Sequence, residues 1–251
     1  MKQTISGSHP RPHGRLGERL LSDTLTARGF WNAVDDPTAI RRLAKLVDFV
    51  IVDLEHGNRD LSRTCQMIFG VWASSSEVLI RLSSTQDPLV QTFLDLGVSS
   101  FLLPQVRSAE EVAEFVKRTR WAPLGQRGVH PRADHTTVGQ DGYISIFPLI
   151  ETRESLEALE HILSCDGVTG CYFGAYDLAQ DLGVSRNSDE MARIFNEVRQ
   201  VVASMKKTLI FMPSDSTPAA SGAYAHFEKH VVGIDTELLI DGLSSVLRNR
   251  E

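Results

Sequence analysis

The chain has few cysteines and few long apolar runs, and each of these shortages excludes particular kinds of protein. The three cysteines, Cys65, Cys165 and Cys171, form no CxxC pair and no Cys/His cluster, so neither a disulfide framework nor a thiolate zinc site is suggested. No eighteen apolar residues run together, and the N-terminal segment MKQTISGSHPRPHGR lacks the apolar stretch of a signal peptide. We therefore expect a cytoplasmic protein in a reducing compartment, with no membrane partner.

Basic residues are outnumbered by acidic ones. The chain has 26 Lys and Arg against 32 Asp and Glu, and the resulting net charge of -6 argues against a nucleic-acid-binding surface. Apolar residues make up 42% of the chain, which is ordinary for a globular protein with a sizeable core. We expect small molecules as partners and no nucleic acid.

Apolar, β-branched segments alternate with segments of helical periodicity along most of the chain. The first pair is LTARGFWNAV and DPTAIRRLAKL, the last strand is HVVGIDT, and eight strand-like segments occur in all. This pattern favours an α/β fold, a single (β/α)8 TIM barrel over residues 15–251. Residues 1–14, rich in Ser, Pro, His and Gly, are expected to form a mobile N-terminal arm.

Local signals support several of these helix starts, and one connection is unusually long. A capping residue or a first-turn proline is predicted at Asp36, Asp87, Ser108 and Ser188. The segment 122–143 is polar and rich in Gly and Pro, and it is longer than a structural turn requires. Such a loop is expected to line or cover a site.

Two carboxylates, Glu151 and Asp177, lie 26 positions apart, and each closes an apolar run that is typical of a buried strand. That spacing matches one strand-helix-strand unit, which would bring both side chains to neighbouring strand ends on one rim of a barrel. Two hard oxygen ligands can hold a divalent cation there, and Mg²⁺, Mn²⁺ and Co²⁺ suit them equally. The alternative is helix capping, by Thr152 or by Asp177 itself.

Other polar residues also fall at predicted strand ends. In DLEHG, Asp53, Glu55 and His56 follow the second strand, and a histidine beside a carboxylate can transfer protons. The alternative for this motif is a polar loop start. Arg81 ends the third strand among apolar neighbours, where it would either clamp a substrate carboxylate or form an internal salt bridge.

Small residues precede Asp177 in FGAYDLAQDLG. Gly174 and Ala175 would let backbone N–H groups approach an anionic ligand closely. The alternative is that this pair serves packing only.

The motifs DFVIVDLEHG, PLGQRG, LIETRESLEAL and FGAYDLAQDLG, together with the run from VLIRLSSTQDP to VRSAEE, resemble those of the HpcH/HpaI family. The order and spacing are similar from about residue 20 onward. Among its members, the chain is similar to metal-dependent class II pyruvate aldolases of the hydroxy-heptenedioate aldolase type. The resemblance implies a TIM barrel, a divalent metal, and a homo-oligomer that is a hexamer made of dimers.

The resemblance also implies roles for individual residues. It makes Glu151 and Asp177 the metal ligands, Arg81 the residue that holds the 2-oxo acid, and His56 with Asp53 the acid/base pair acting through water at the metal. Further roles concern the surroundings of that centre: an outer-sphere carboxylate for Glu55, an acid contributed to the neighbouring subunit's site for Asp95, an aromatic wall for Trp31, and carboxylate-binding amides for Gly174 and Ala175.

Two departures from the family pattern concern the second substrate. Leu149 stands where many relatives have Gln, two residues before the metal-binding Glu, and the loop 128–143 is shorter than in typical aldolases. Both lie where the aldehyde would sit, so they leave open the identity of the aldehyde or oxo-acid acceptor.

Three functions follow from the residues and the resemblance. The first is a metal-dependent aldolase that cleaves a 4-hydroxy-2-oxo acid into pyruvate and an aldehyde through an enolate. The second keeps the enolate chemistry but joins it to an oxo acid, as citrate-forming relatives do, or acts on a CoA ester. The third is a non-catalytic, carboxylate-sensing barrel. The C-terminal segment LLIDGLSSVL is either an interface helix or an ordinary eighth barrel helix.

Overall fold

The computed structural model describes residues 16, 27–57, 59–129, 144–213 and 229–248. Within these residues eight parallel strands form one sheet: β1 (Ala27–Asn32), β2 (Phe49–Asp53), β3 (Glu77–Arg81), β4 (Ser100–Leu103), β5 (Ser145–Ile150), β6 (Gly170–Phe173), β7 (Thr208–Phe211) and β8 (Lys229–Ile234). The order is β7-β6-β5-β4-β3-β2-β1-β8, and β7 lies beside β8, so the sheet curls into a nearly closed barrel. The expected TIM barrel is confirmed.

Helices surround the strands. They are α1 (Pro37–Leu43), α2 (Leu61–Trp72), α3 (Val90–Leu96), α4 (Ala109–Thr119), α5 (Arg153–Glu157), α6 (Leu159–Ser164), α7 (Ala175–Leu182), α8 (Asp189–Ser204) and α9 (Asp235–Arg248). The helical periodicity of RESLEALEHIL predicts one helix, whereas the structure has two, which meet at Ala158. The pattern of GCYFGAYDL predicts one strand, but the strand ends at Phe173 and the short helix α7 begins at Ala175.

Most of the predicted caps are confirmed. Asp36 accepts hydrogen bonds from the N–H groups of the first turn of α1, and Ser108 and Ser188 cap α4 and α8 in the same way. The prediction at Asp87 is wrong, because α3 begins at Val90 and the Asp87 carboxylate instead accepts hydrogen bonds from residues on both sides of it in the preceding turn.

The barrel interior explains how the polar residues reach one rim. Side chains alternate across a strand, so Phe49 and Ile51 of β2 point into the barrel, and Asp53, two positions on, points the same way at its carboxyl end. The inward-facing cluster of Ile51, Leu79, Leu102, Phe147 and Leu149 fills the space below. Leu16 is also buried against this cluster.

The larger apolar core lies between the outer face of the sheet and the helices, around Phe93, Phe101, Phe115 and Ile162. In the described residues, no helix has both the length and the apolar character needed to cross a bilayer. The predicted arm at 1–14 lies outside the described residues, and so does the predicted short loop apart from its first two residues, 128 and 129.

The last helix, α9, is joined to the barrel at its first residue. The buried Asp235 carboxylate accepts hydrogen bonds from the Asn32 side chain (2.7 Å) and from the N–H groups of Ala33 and Val34 (2.9 and 3.1 Å). Beyond this point the helix exposes six large apolar side chains: Leu238, Leu239, Ile240, Leu243, Val246 and Leu247. An ordinary barrel helix buries its apolar face, so this exposure favours the interface alternative.

Candidate active site

Four polar or aromatic side chains converge at the carboxyl ends of the strands. Trp31 lies near the end of β1, Asp53 and Arg81 are the last residues of β2 and β3, and Glu151 follows directly after β5. Asp53 and Arg81 are register partners in the β2–β3 pair, so the sheet itself sets them side by side. The strand alternation thus places on one rim residues that are far apart in the chain.

Arg81 is the centre of a buried network. Its Nε donates to Asp53 Oδ1 (2.8 Å), one terminal nitrogen contacts Asp53 Oδ2, and Nη1 lies 2.8 Å from Glu55 Oε2. The guanidinium carbon lies 4.6 Å from the Trp31 ring centroid, and the indole N–H donates to Asp53 (3.1 Å). The internal salt bridge considered for Arg81 is therefore present, and it lies at the barrel mouth.

This network controls the ionisation of its acids. Burial opposes charge on Asp53, but the hydrogen bonds and charge of Arg81 outweigh it and hold the pKa of Asp53 below its usual value. Burial raises the pKa of Glu55, and Arg81 offsets only part of that increase. Although burial alone would lower the pKa of Arg81, its contacts with Asp53 raise it overall.

His56 follows this network in the loop after β2. Its backbone N–H donates to Asp53 Oδ1 (3.3 Å), while its side chain is exposed at the mouth of the barrel. The partners of the Asp53 carboxylate are thus Arg81, Trp31 and backbone N–H groups rather than the imidazole. Within the described residues the imidazole makes no hydrogen bond to Asp53, and the acid/base role of the pair stays a prediction.

Glu151 is 1% exposed and is held by Gln105 in the turn after β4. The backbone N–H of Gln105 donates to Glu151 Oε1 at 2.6 Å, and its side-chain amide reaches the same oxygen at 3.3 Å. Gln105 has a φ of 53°, a left-handed conformation that is uncommon for residues other than glycine. Burial raises the pKa of Glu151 to about 7, the negative charges of Glu55 and Asp177 add to the increase, and the Gln105 hydrogen bond opposes it.

Asp177 lies in the first turn of α7, four residues after the end of β6, and not at a strand end as expected. Gly174 precedes this helix because a side chain there would clash with Glu151: an added Cβ would lie 2.6 Å from Glu151 Cβ. The resemblance implied that the Gly174 N–H binds a carboxylate. In the structure this N–H donates instead to the Ile150 carbonyl (3.0 Å). The Ala175 N–H opens α7, where the helix itself offers it no acceptor.

These residues surround one cavity of about 750 Å³, a volume typical of small-molecule sites. Eight of the residues predicted for the site line it: Trp31, Asp53, His56, Arg81, Glu151, Gly174, Ala175 and Asp177. Leu149 also lines it, as expected for the position that departs from the family pattern. Asp95 does not line it; its carboxylate accepts hydrogen bonds from Gln91 (2.8 Å) and Arg127 (3.4 Å) on the outside of the barrel.

The protein offers few ligands for a metal. In the described part of the chain, no group of three or more His, Cys, Asp or Glu side chains is arranged to hold an ion. The candidate centre is the pair Glu151 and Asp177, so water or substrate oxygens would have to complete the coordination of a hard cation. Burial is the main cause of the raised pKa of Glu151, and the nearby charges of Glu55 and Asp177 add to it; a bound cation would favour the ionised carboxylate against both effects.

Sequence reasoning missed several residues that line the cavity or hold its acids. Gln105 gave no signal, because its importance depends on a contact with a residue 46 positions away. Tyr172 read as an ordinary strand residue, yet its buried ring packs edge-on against Trp31, with 5.5 Å between centroids. Arg59 and Arg186 also line the cavity. Their only signal was positive charge in loops that follow strands or helices.

A family model described as HpcH/HpaI aldolase/citrate lyase matches residues 28–241. The chain belongs to this family. Its relatives include a hydroxypyruvate/pyruvate aldolase of Roseovarius nubinhibens, 33% identical over 69% of this chain and 71% of that protein. A 4-hydroxy-2-oxovalerate aldolase of Rhodococcus jostii is 29% identical over 91% of this chain and 93% of that protein. Such relatives identify the chain as a carbon–carbon lyase, which disfavours the non-catalytic sensor.

The fold agrees with solved members of the family. A crystal structure of the citrate synthase SbnG superposes with a TM-score of 0.83 and 25% sequence identity, covering 94% of this chain and 96% of that chain. The resemblance inferred from the sequence motifs is therefore confirmed. The relatives are named for different reactions, so membership of the family does not identify the second substrate. The residues of the site have to indicate it.

Proposed function

We propose that this protein is a divalent-metal-dependent aldolase that reversibly cleaves a 4-hydroxy-2-oxo acid into pyruvate and an aldehyde. The observation that carries the proposal is the convergence of Glu151, Asp177 and Arg81 on one cavity. Cleavage leaves negative charge on an enolate oxygen, and catalysis depends on positive charge placed where that charge develops. The named activities of the aldolase relatives support the reaction type.

Glu151 and Asp177 are the residues that would hold the cation, with Mg²⁺ or Mn²⁺ first and Co²⁺ also suited to these donors. The two hydrogen bonds accepted by Glu151 within the described residues both end on Oε1, which leaves Oε2 for a ligand. A bound divalent cation supplies Lewis acidity at the oxygens of the 2-oxo acid. Gln105 orients the carboxylate that receives it.

Arg81 is assigned to the 2-oxo acid. A guanidinium carries five N–H donors, and Asp53 engages two of those of Arg81, while Glu55 forms an ion pair with Nη1. The donors that Asp53 does not take remain for a substrate carboxylate or an enolate oxygen. The two acids and the Trp31 face keep the guanidinium in one orientation, so its remaining donors are positioned before substrate arrives.

The reaction also moves two protons. The C4 hydroxyl loses its proton as the C3–C4 bond breaks, C4 becomes the aldehyde carbon, and C3 of the enolate then takes up a proton to give pyruvate. We assign this proton transfer to His56, whose side chain lies at the cavity wall. Asp53 is assigned to positioning Arg81, because its oxygens are already engaged by Arg81 and Trp31.

The remaining roles complete the proposal. Trp31 forms an aromatic wall, the Ala175 N–H faces the substrate carboxylate, and Glu55 serves as an outer-sphere acid through Arg81. Asp95 acts in the site of a neighbouring subunit of a homo-oligomer, a hexamer by resemblance. Two observations support this last point: Asp95 lies outside its own cavity, and the apolar side chains of α9 are exposed and need a cover.

The test is the metal dependence of pyruvate chemistry. Wild-type protein treated with EDTA should lose aldol cleavage and the exchange of pyruvate C3 protons in D₂O, and Mg²⁺ or Mn²⁺ should restore both. Glu151→Gln should weaken Mn²⁺ binding, measured by electron paramagnetic resonance. The exposed Glu157→Gln on α5 is the matched control and should bind Mn²⁺ as wild type does. Exchange that persists in EDTA would refute the proposal.

A second candidate is favoured by the likeness to the citrate synthase SbnG. In that reaction the enolate would join an oxo acid rather than an aldehyde. Pairing pyruvate and oxaloacetate with aldehyde and oxo-acid acceptors, and identifying the products by mass spectrometry, separates the two candidates.

A further inference from the structure

Arg186 lies at the edge of the active-site cavity, in the turn between α7 and α8. Its guanidinium carbon lies 3.9 Å from the centroid of the Tyr176 ring. Its Nη1 is buried and has no hydrogen-bond partner within the described residues. Tyr176 directly precedes Asp177 on α7, so this stacked pair stands beside the candidate metal centre.

The other arginines of the cavity are already engaged. Arg81 contacts Asp53 and Glu55. Arg59 lies 3.3 Å from Asp35 and donates to the Asn32 carbonyl at 3.1 Å. Arg186 differs, because among the described residues it contacts an aromatic face and not an acid.

Stacking prepares a guanidinium to bind a carboxylate. The ring covers one face of the planar group, and the N–H bonds point outward in its plane, where a carboxylate can accept two of them. A buried N–H without an acceptor costs free energy, so such a group in a ligand cavity is expected to gain its acceptor from the ligand.

Acids of the protein also line the cavity and must be considered. Asp35 already pairs with Arg59 and Arg63, and Asp177 is assigned to the metal. Glu237, in the first turn of α9, also reaches the cavity. These acids give the cavity negative charge, which repels a carboxylate on the ligand. Such a ligand therefore needs a cationic side chain to bind, and Arg186 supplies one.

We propose that Arg186, held by Tyr176, is the anchor for a carboxylate on the second substrate, so that the acceptor is an aldehyde or oxo acid that bears its own carboxylate. The inference rests on the proposed aldolase function and names its substrate class. The cavity of about 750 Å³ contains Arg81 and Arg186 together, so one product with a carboxylate at each end can bridge them. Arg81 takes the 2-oxo-acid end, and Arg186 takes the far end.

The experiment compares two acceptors in the aldol direction with pyruvate and Mn²⁺: 4-oxobutanoate, which carries a carboxylate, and butanal, which lacks it. Wild type should prefer 4-oxobutanoate in kcat/KM. Arg186→Met keeps an unbranched apolar stem but removes the charge and the N–H donors. It should reduce that preference by about 10- to 100-fold, the effect of losing a charge-assisted hydrogen-bonded pair. Arg186→Lys should retain part of the preference.

The matched control is Arg193→Met, at an exposed position on α8, which should keep the wild-type preference. Thermal unfolding of each variant shows whether it folds; should Arg186→Met not fold, the ratio is read from Arg186→Lys and Arg186→Gln. A wild type without preference for 4-oxobutanoate, or a preference unchanged in the Arg186 variants, overturns the subsite.

Proton exchange at C3 of pyruvate, measured on wild type without any acceptor, separates this failure from that of the proposed function. Metal-dependent exchange together with an unchanged acceptor preference would reject Arg186 alone. Absence of exchange would reject the aldolase assignment itself.

Discussion

Glu151 makes the stability of the metal-free protein depend on pH in an unusual direction. Burial raises its pKa from 4.5 to about 7, so between these values the folded chain binds a proton that the unfolded chain has released. The free energy of unfolding should therefore fall as pH rises through this window. At 1.36 kcal/mol for each pH unit, the full effect is about 3 kcal/mol, and about 2 kcal/mol of it falls between pH 5.5 and 7.5.

The measurement is urea unfolding in EDTA at several pH values, followed by circular dichroism. Glu151→Gln removes the titrating group and keeps an oxygen that can accept the Gln105 hydrogen bond, so its curve is the reference. Groups common to both proteins cancel in the difference. Asp53 does not interfere, since its lowered pKa places its contribution at more acidic pH, where stability is lost as pH falls.

Wild type should lose about 2 kcal/mol relative to Glu151→Gln between pH 5.5 and 7.5. Saturating Mg²⁺ or Mn²⁺ should remove the loss, because a cation favours the ionised carboxylate and binds only the folded site. Parallel curves for the two proteins in EDTA would show that burial does not disfavour the ionised Glu151, and the electrostatic reasoning about this residue would then be wrong.

Three further substitutions test other parts of the site. Arg81→Lys should lower kcat/KM for cleavage by about 10- to 100-fold, because an ammonium cannot reproduce the forked contacts; kinetics equal to wild type would remove Arg81 from the site. Gly174→Ala should displace Glu151 and weaken Mn²⁺ binding at least tenfold, by about 1.4 kcal/mol, measured by calorimetry. Asp235→Ala should lower the free energy of unfolding by about 3 kcal/mol, because the buried donors that it binds lose a charged acceptor. The control is Asp241→Ala at an exposed position on the same helix, which should change the free energy of unfolding by less than about 0.5 kcal/mol.

Much of the architecture could be predicted from local pattern. Buried parallel strands require apolar, β-branched runs, so segments such as FVIVD and EVLIR identify themselves. The rim residues followed from the same regularity, because Asp53 and Arg81 each end such a run. The position of Asp177 was harder to predict. A helix begins at Ala175, directly after β6, and the apolar pattern shows no break between the strand and this short helix.

The sequence by itself determined that the residues closing the strands, such as Asp53, Arg81 and Glu151, reach the barrel mouth, since strand alternation and chain order specify their side and end. Only the tertiary structure decided what each of them touches there. Arg81 takes both oxygens of Asp53, the left-handed Gln105 holds Glu151, and Arg186 stacks on Tyr176. These contacts depend on strand register and loop conformation, which set distances of a few ångströms between residues remote in the chain, and no local pattern encodes them.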